Sequence, residues 1–403
     1  MKILALQETD WVGRNPIMHH RMLEALSRRG DDVTVIDYDL NWRSLEGSRF
    51  LSPRRSGPTP GKYYADARIK LIRPPILKLP GLSRTSWLAA NWREIRNELF
   101  QRTPEVVVGY GISNALLGAH MASRAGVPFV YHLLDALHTL VEPATLRPVA
   151  RRVEQLALRK ADRVIVINRH LRTYAANMGA RPSRIAVLPQ GYAPKTLADA
   201  EQQRVRAALG VRDDELLLLF VGWLYDFSGL RELVAALARR RHQFPRVRLA
   251  IVGSGDLDAE LVAIRNSGLG DQLLLTGQRP VTEIPGYIGA SDVCLLPALR
   301  TPAMEHIVPS KVGEYMELGK PIIATRLPGL EAEFGDLPGV LWVDRPEETL
   351  DQISKLELHP MGPRKAAASL GQTCQAFAMA RGDWTQATDR FRSLLMVNKD
   401  EPA

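Results

Sequence analysis

The segment 309–325, PSKVGEYMELGKPIIAT, places a lysine and a glutamate within one turn of a predicted helix start. Pro309 stops whatever precedes it, and Ser310 is a suitable N-cap whose hydroxyl can accept from a first-turn amide. The helix is predicted over 312–318, closed by Gly319, with Pro321 beyond it and a short buried strand at 322–324. The unpaired amides of such a start, with the positive end of the helix dipole, suit a phosphate. Lys311 adds a mobile cation there, and Glu314, one turn on, can accept from two vicinal hydroxyls such as those of a ribose. Together they describe a nucleoside diphosphate site. An ordinary capped helix feeding a strand accounts for the same residues without a ligand.

Other candidates stand at predicted strand ends. In FVGWLYDFSG (220–229), Gly222 lets backbone approach a ligand closely. IVGSGDLDAEL (251–261) carries Gly-x-Gly after a strand, but Asp258 occupies the third glycine position. It is read as Gly253 lining a nucleotide pocket, not as a hydride-cofactor fingerprint. YHLLDALHTL (131–140) puts His132, Asp135 and His138 just past a strand. A polar group there suits a transition state in which an acceptor hydroxyl loses its proton, although a lone histidine on such a loop is also commonly structural. Asp37-Tyr38-Asp39 and Asp256-Leu257-Asp258 both spell Asp-x-Asp. The first ends a strand and the second caps a helix, so no metal site is expected. Zinc-ligand spacing, a nucleophile elbow and a Walker loop are all missing from the sequence.

The elements that must position these residues alternate strand and helix. Strands are predicted at 2–7, 32–38, 106–110, 128–132, 163–168 and 185–189, with helices between them, as for a parallel sheet covered on both faces. The stretch 43–81, rich in Pro, Gly and Arg, reads as an irregular insertion or mobile loop outside the core. A polar break at 194–201 precedes a second series, with strands at 216–223, 248–253, 273–277, 292–296, 321–325 and 340–343. The fold class is therefore α/β, two tandem Rossmann-like doubly wound domains. Ligands of such sheets sit at the carboxyl ends of the strands, and in a tandem pair those ends can face one another across a cleft.

A chain of 403 residues with 45% hydrophobic and 24% charged residues has an ordinary globular balance, and its length favours two cores. Cys294 lies in an apolar run, and with only Cys374 besides, a reducing cytoplasm is expected. The N-terminal MKILALQ lacks a signal-peptide core, and the longest apolar run, 216–224, is far short of a membrane span. The net charge of +9 is concentrated: residues 49–102 hold twelve Lys or Arg against three acidic residues. A localised basic patch implies an anionic partner. Within it, 69–96 interleaves basic and apolar residues and includes Trp87 and Trp92, a pattern for a water–lipid interface or for a solvated face over a core helix.

The segment 309–325 resembles the donor-binding motif of retaining GT-B glycosyltransferases of family 4, in the variant Pro-Ser-Lys-x-x-Glu-Tyr-Met followed by Gly-Lys-Pro. The resemblance extends over nearly the whole chain. It implies that Glu314 holds the donor ribose and that the amides of Ser310, Lys311 and Val312 hold the diphosphate. A glutamate that binds the sugar usually stands where this chain has His306, with Glu305 beside it. An arginine usually follows Gly222 and a Lys-Gly pair comes later; here those places read Trp223 and Ser228-Gly229. Arg279 and Val281 fall where the backbone meets the nucleobase, Gly13 and Arg14 on the N-terminal cleft loop, and His132 or Asp135 at the catalytic position.

The implied organisation is an acceptor-side domain over 1–193, a nucleotide-sugar domain over 194–380, and a last helix within 381–403 that crosses back to the first. The implied activity is retaining, metal-independent hexosyl transfer from a UDP- or GDP-linked sugar, with no cofactor. The acceptor is a hydroxyl of a glycan or lipid-linked molecule, handled in the cytoplasm. Residues 49–102 would touch the anionic inner face of the plasma membrane. The departures at Trp223, Ser228 and His306 keep open a non-catalytic scaffold or nucleotide-sugar-binding protein of the same fold. Nucleic acid is not an expected partner, since no recognition motif accompanies the basic stretch.

Overall fold

The computed structural model describes residues 1–13, 16–38, 50–79 and 82–397. The chain parts into two compact units, one formed by Met1–Gln190 with the segment from Trp384 onward, the other by Gly191–Asp383.

The strands of the first unit are β1 (Lys2–Leu6), β2 (Asp32–Ile36), β3 (Leu51–Ser52), β4 (Arg55–Thr59), β5 (Ile69–Arg73), β6 (Ile76–Leu77), β7 (Val106–Gly109), β8 (Phe129–Leu133), β9 (Arg163–Val166) and β10 (Ile185–Val187). Eight of them form one sheet in the order β10-β9-β8-β7-β1-β2-β5-β4, parallel except for the β4 edge, which runs antiparallel to β5. β7 and β8 are buried at every position, as strands covered on both faces must be. Helix Met18–Arg28 turns Met22, Leu23 and Leu26 inward on one stripe and ends at exposed Arg28.

The insertion is more ordered than its composition predicts. β4 and β5 extend the main sheet, and β3 pairs with β6 as a separate two-stranded ribbon. Helix Ser83–Gln101 buries Trp87, Glu94, Ile95 and Glu98. Its two buried carboxylates meet the basic strands: Arg54 donates to Glu94 at 2.7 Å and Lys70 to Glu98 at 2.7 Å. Of the apolar residues in this stretch, Leu71, Ile72, Ile76 and Trp87 are buried in the core, whereas Leu77 and Trp92 stay exposed. Alternation along a half-covered strand and a charged helix gives the same sequence pattern as an interfacial segment. Among the described residues no helix is long and apolar enough to cross a membrane.

The last helix, Trp384–Leu395, belongs to this first unit. Phe391 and Leu395 enter its core, Arg392 forks onto buried Asp31 with contacts of 2.9 and 3.0 Å, and the Arg21 guanidinium lies 4.3 Å over the Trp384 ring. A bidentate pair of this kind fixes direction as well as position.

The second unit holds β11 (Leu216–Val221), β12 (Val247–Val252), β13 (Leu273–Gly277), β14 (Val293–Leu296), β15 (Ile322–Thr325) and β16 (Val340–Val343), all parallel in the order β13-β12-β11-β14-β15-β16. The order steps outward on both sides of β11, so a switch point lies between β11 and β14. Such a point is where doubly wound sheets bind ligands.

Candidate functional site

In the second unit the motif helix spans Ser310–Glu317, beginning earlier than predicted, with Pro309 as its N-cap. Ser310 therefore sits inside the first turn, exposed, and makes no side-chain cap, because proline already supplies the extended residue that ends the preceding loop. Val312 turns its side chain into the core and its amide donates to Pro309 O at 3.0 Å, so its N–H is already engaged. Tyr315 shows what the rest of the motif does. Fully buried, its hydroxyl accepts from the amide of Val221 at 3.0 Å and so fastens the helix to the carboxyl end of β11. Lys320 donates to the carbonyls of Gly289 and Ser291 at 2.7 and 2.8 Å, which makes it a structural tie. Glu314 is left exposed on the opposite face.

Lys311 is not the mobile surface cation that the sequence predicts. The half-buried side chain turns its ammonium inward, 3.9 Å from the centroid of the Phe220 ring. Burial pulls it down to about 7, against a smaller upward pull from Glu314. Gly222 makes the room: a Cβ there would stand 2.6 Å from Lys311 Nζ, and its φ is +137°. Gly253, with φ +147°, packs on Gly222 O so closely that a Cβ would stand 1.9 Å from it, and its amide donates to Gly277 O at 3.0 Å. Gly222, Gly253 and Gly277 thus lay a side-chain-free ledge across the ends of β11, β12 and β13.

The remaining donor-side candidates separate. Ser228 is buried, and its hydroxyl accepts from the Leu230 amide at 3.5 Å at the start of helix Leu230–Arg240, so it serves the turn. Glu305 presents its side chain to solvent, His306 is half-buried, and their backbones pack against Gly329, whose amide donates to Glu305 O at 2.8 Å. Arg279 and Val281 are exposed in the turn after β13, and Arg279 also lines an open groove of about 960 Å³ along that edge strand.

In the first unit, His132 is not beyond the strand but within β8. It is 1% exposed, packed between the rings of Tyr110 and Phe391 at 5.3 and 5.2 Å, and burial holds it neutral, down to about 3. The flanking elements and the returning helix bury it. Asp135 does lie past β8 and is half-buried. His138 belongs to a separate network, its Nδ1 2.9 Å from both Glu154 Oε2 and Tyr174 Oη.

Sequence reasoning missed how the loop after β1 is held. Asp37, at the end of β2, accepts from the Trp11 amide at 2.9 Å and from Arg73 Nη2 at 2.9 Å. Arg73 also pairs with Asp10, whose Oδ1 accepts from the amides of Val12 and Gly13 at 2.9 and 2.8 Å. His20 contacts Trp11 O through Nε2 at 3.1 Å. Burial pushes the Asp37 carboxyl up to about 7 in spite of Arg73. Gly13 is thus fixed at an exposed tip, while Arg14 lies outside the described residues, as does Asp39. The only legible signal was Asp-x-Asp at the end of a strand. Asp37 does follow the end of β2, as the sequence reading has it, and is engaged there by an arginine and an amide. Replacing Arg73 with Met strands two buried carboxylates, and stability is expected to fall by about 3 kcal/mol. Urea unfolding measures this, and a change under about 1 kcal/mol, as for a surface pair, would contradict the clamp.

Two α/β units with parallel sheets, the second carrying a glycine ledge and an inward-turned amine beside a helix start, define the GT-B fold class. The structure of Anabaena HepE in complex with UDP superposes with a TM-score of 0.75 at 18% identity, covering 98% of this chain and 99% of that one. Residues 18–191 match the glycosyl transferase 4-like domain and residues 215–357 match glycosyl transferases group 1. The chain belongs to the group 1 glycosyltransferases. It is similar to the 2-deoxystreptamine glucosyltransferase of Streptomyces kanamyceticus, 29% identical over 278 residues, 66% of this chain and 70% of that one. It is also similar to the D-inositol 3-phosphate glycosyltransferase of Segniliparus rotundus, 26% identical over 260 residues, where the match spans 60% of this chain and 56% of that protein's length.

Proposed function

We propose that this glycosyltransferase moves a hexose, with retention and without a metal, from a UDP- or GDP-linked sugar to a hydroxyl of a polyhydroxylated ring. The observation that carries the donor assignment is Lys311. Its ammonium is turned inward at the first turn of helix Ser310–Glu317 beside the glycine ledge, and no described carboxylate pairs with it. A buried cation with only the exposed Glu314 nearby to favour its charge is costly, and a diphosphate supplies opposing charge. UDP in the similar HepE structure supports the choice of ligand.

As the sugar–oxygen bond breaks, negative charge grows on the diphosphate. Lys311 and the first-turn amides of Ser310 and Lys311 stabilise it where it develops. Glu314 fixes the ribose. Asp135, from the acceptor-side unit, is the side chain retained for the acceptor proton. The names of the two relatives point to cyclitol rings as acceptors, alongside the glycan or lipid-linked class expected from sequence. Docking on an anionic membrane face would rest on exposed cations that make no ion pair among the described residues, Arg55, Arg68, Arg93 and Arg96. The reading requires neither a cofactor nor nucleic acid.

The test is turnover of UDP-glucose and GDP-mannose with 2-deoxystreptamine, D-inositol 3-phosphate and simple glycosides as acceptors. The anomeric configuration of the product is read by NMR. A product with the donor's configuration is expected; an inverted product, or nucleotide binding without any transfer or hydrolysis, would oppose the reading. EDTA is expected to leave the rate within about two-fold, whereas a metal supplying charge at the diphosphate would be worth several kcal/mol. A loss restored by a divalent ion would overturn that part.

A further inference from the structure

Three aromatic residues at alternate positions follow Gly222. Trp223 and Tyr225 are 49% and 41% exposed, while Phe227 packs against the core. The Trp223 and Tyr225 rings stand 6.3 Å apart, and Tyr225 stacks on Phe227 at 4.8 Å with 10° between planes. Their backbone is pinned throughout. Leu224, 1% exposed, donates to Ser254 O at 3.2 Å and accepts from the Leu257 amide at 3.3 Å. Ser228 donates to Tyr225 O at 2.9 Å, and Leu299 to Phe227 O at 2.8 Å. Below the indole, a Cβ on Gly255 would stand 2.9 Å from Trp223 Nε1, so the ring lies directly on backbone. Two large apolar faces shown to water on a fixed support forgo burial that a ligand can recover. Little conformational freedom remains to be lost when it does.

Position selects the ligand. Trp223 directly follows the glycine whose missing side chain admits Lys311 Nζ. A diphosphate neutralised by Lys311 carries two groups, and with the ribose assigned to Glu314 the sugar is the one left to meet these rings. The attached group must offer an apolar face yet keep polar edges. A pyranose does so, with C–H groups on one face that pack on an aromatic ring while its hydroxyls stay hydrogen-bonded at the rim.

We propose that Trp223 and Tyr225 form an aromatic platform for the hexose of the nucleotide sugar. This subsite rests on the reading of the second unit as the donor side.

The experiment compares UDP with UDP-hexose by calorimetry, using whichever of UDP-glucose, UDP-galactose and UDP-N-acetylglucosamine binds wild type most tightly, with GDP and GDP-mannose taking their places throughout if GDP is the nucleotide that wild type binds. Trp223→Ala is expected to weaken the UDP-hexose by about ten-fold and UDP by less than two-fold, and Trp223→Phe to recover most of the loss. Tyr225→Ala should act in the same sense, more weakly. Trp223 fluorescence, isolated by comparison with Trp223→Phe, should change with the UDP-hexose and not with UDP. Equal weakening of both ligands, no weakening of either, or a wild type that binds no UDP-hexose better than UDP would overturn the platform. A wild type that binds no nucleotide at all would instead overturn the donor-site reading itself.

Discussion

Glu314→Gln is expected to lower the affinity for the nucleotide sugar by ten-fold or more while leaving the fold intact. The carboxylate is exposed on a helix that Tyr315 fastens to β11, so its direction is set by a buried hydrogen bond rather than by its own packing. An ionised carboxylate accepting from two ribose hydroxyls contributes about 1.5–3 kcal/mol per bond, and the amide keeps shape but loses charge. The comparison is calorimetric, with the melting temperature of each variant recorded alongside. Unchanged affinity would remove Glu314 from the site. Lost affinity with a collapsed melting temperature would instead trace the effect to Tyr315 and the helix seat.

Lys311 gives the second large effect, and it depends on pH. Burial holds the free ammonium near 7, and a bound diphosphate favours its charged form. The group thus gains a proton on binding whenever the pH exceeds its value in the free protein. Affinity for a UDP-hexose, whose diphosphate has no proton to lose in this range, should be flat below pH 7. Above that it should fall by nearly ten-fold per unit until the pKa of the complex is reached. Lys311→Met should bind weakly at every pH with a flat profile, and should lose much less affinity for uridine than for UDP. A wild-type profile flat from pH 6 to 9 would contradict the buried, unpaired amine.

The alternation of strands and helices made both sheets legible, because buried parallel strands such as Leu216–Val221 and Val106–Gly109 are continuous apolar runs. The insertion was not legible. The strand Ile69–Arg73 carries charges at both of its half-exposed positions; Lys70 finds Glu98 on helix Ser83–Gln101 and Arg73 finds Asp37 just after β2, pairings that local pattern does not reveal. The donor motif was read correctly as a helix start, yet the inward turn of Lys311 depends on a glycine nearly ninety positions away in β11's loop, beyond any window of periodicity. The burial of His132 was not legible either, because the residue ends the predicted strand 128–132 and the core around it is completed by Phe391 of the last helix, far along the chain. The loop clamp of Arg73, Asp10 and Asp37 joins three strand ends and likewise has no linear signature.

The central claim is that the second unit binds a nucleoside diphosphate across the glycine ledge and the start of helix Ser310–Glu317. Titration of the whole chain with UDP and GDP, followed by isothermal calorimetry, tests it most directly. One nucleotide should bind with a stoichiometry near one, and more weakly to both Glu314→Gln and Lys311→Met. Absence of binding by either nucleotide, or binding indifferent to both substitutions, would contradict the account.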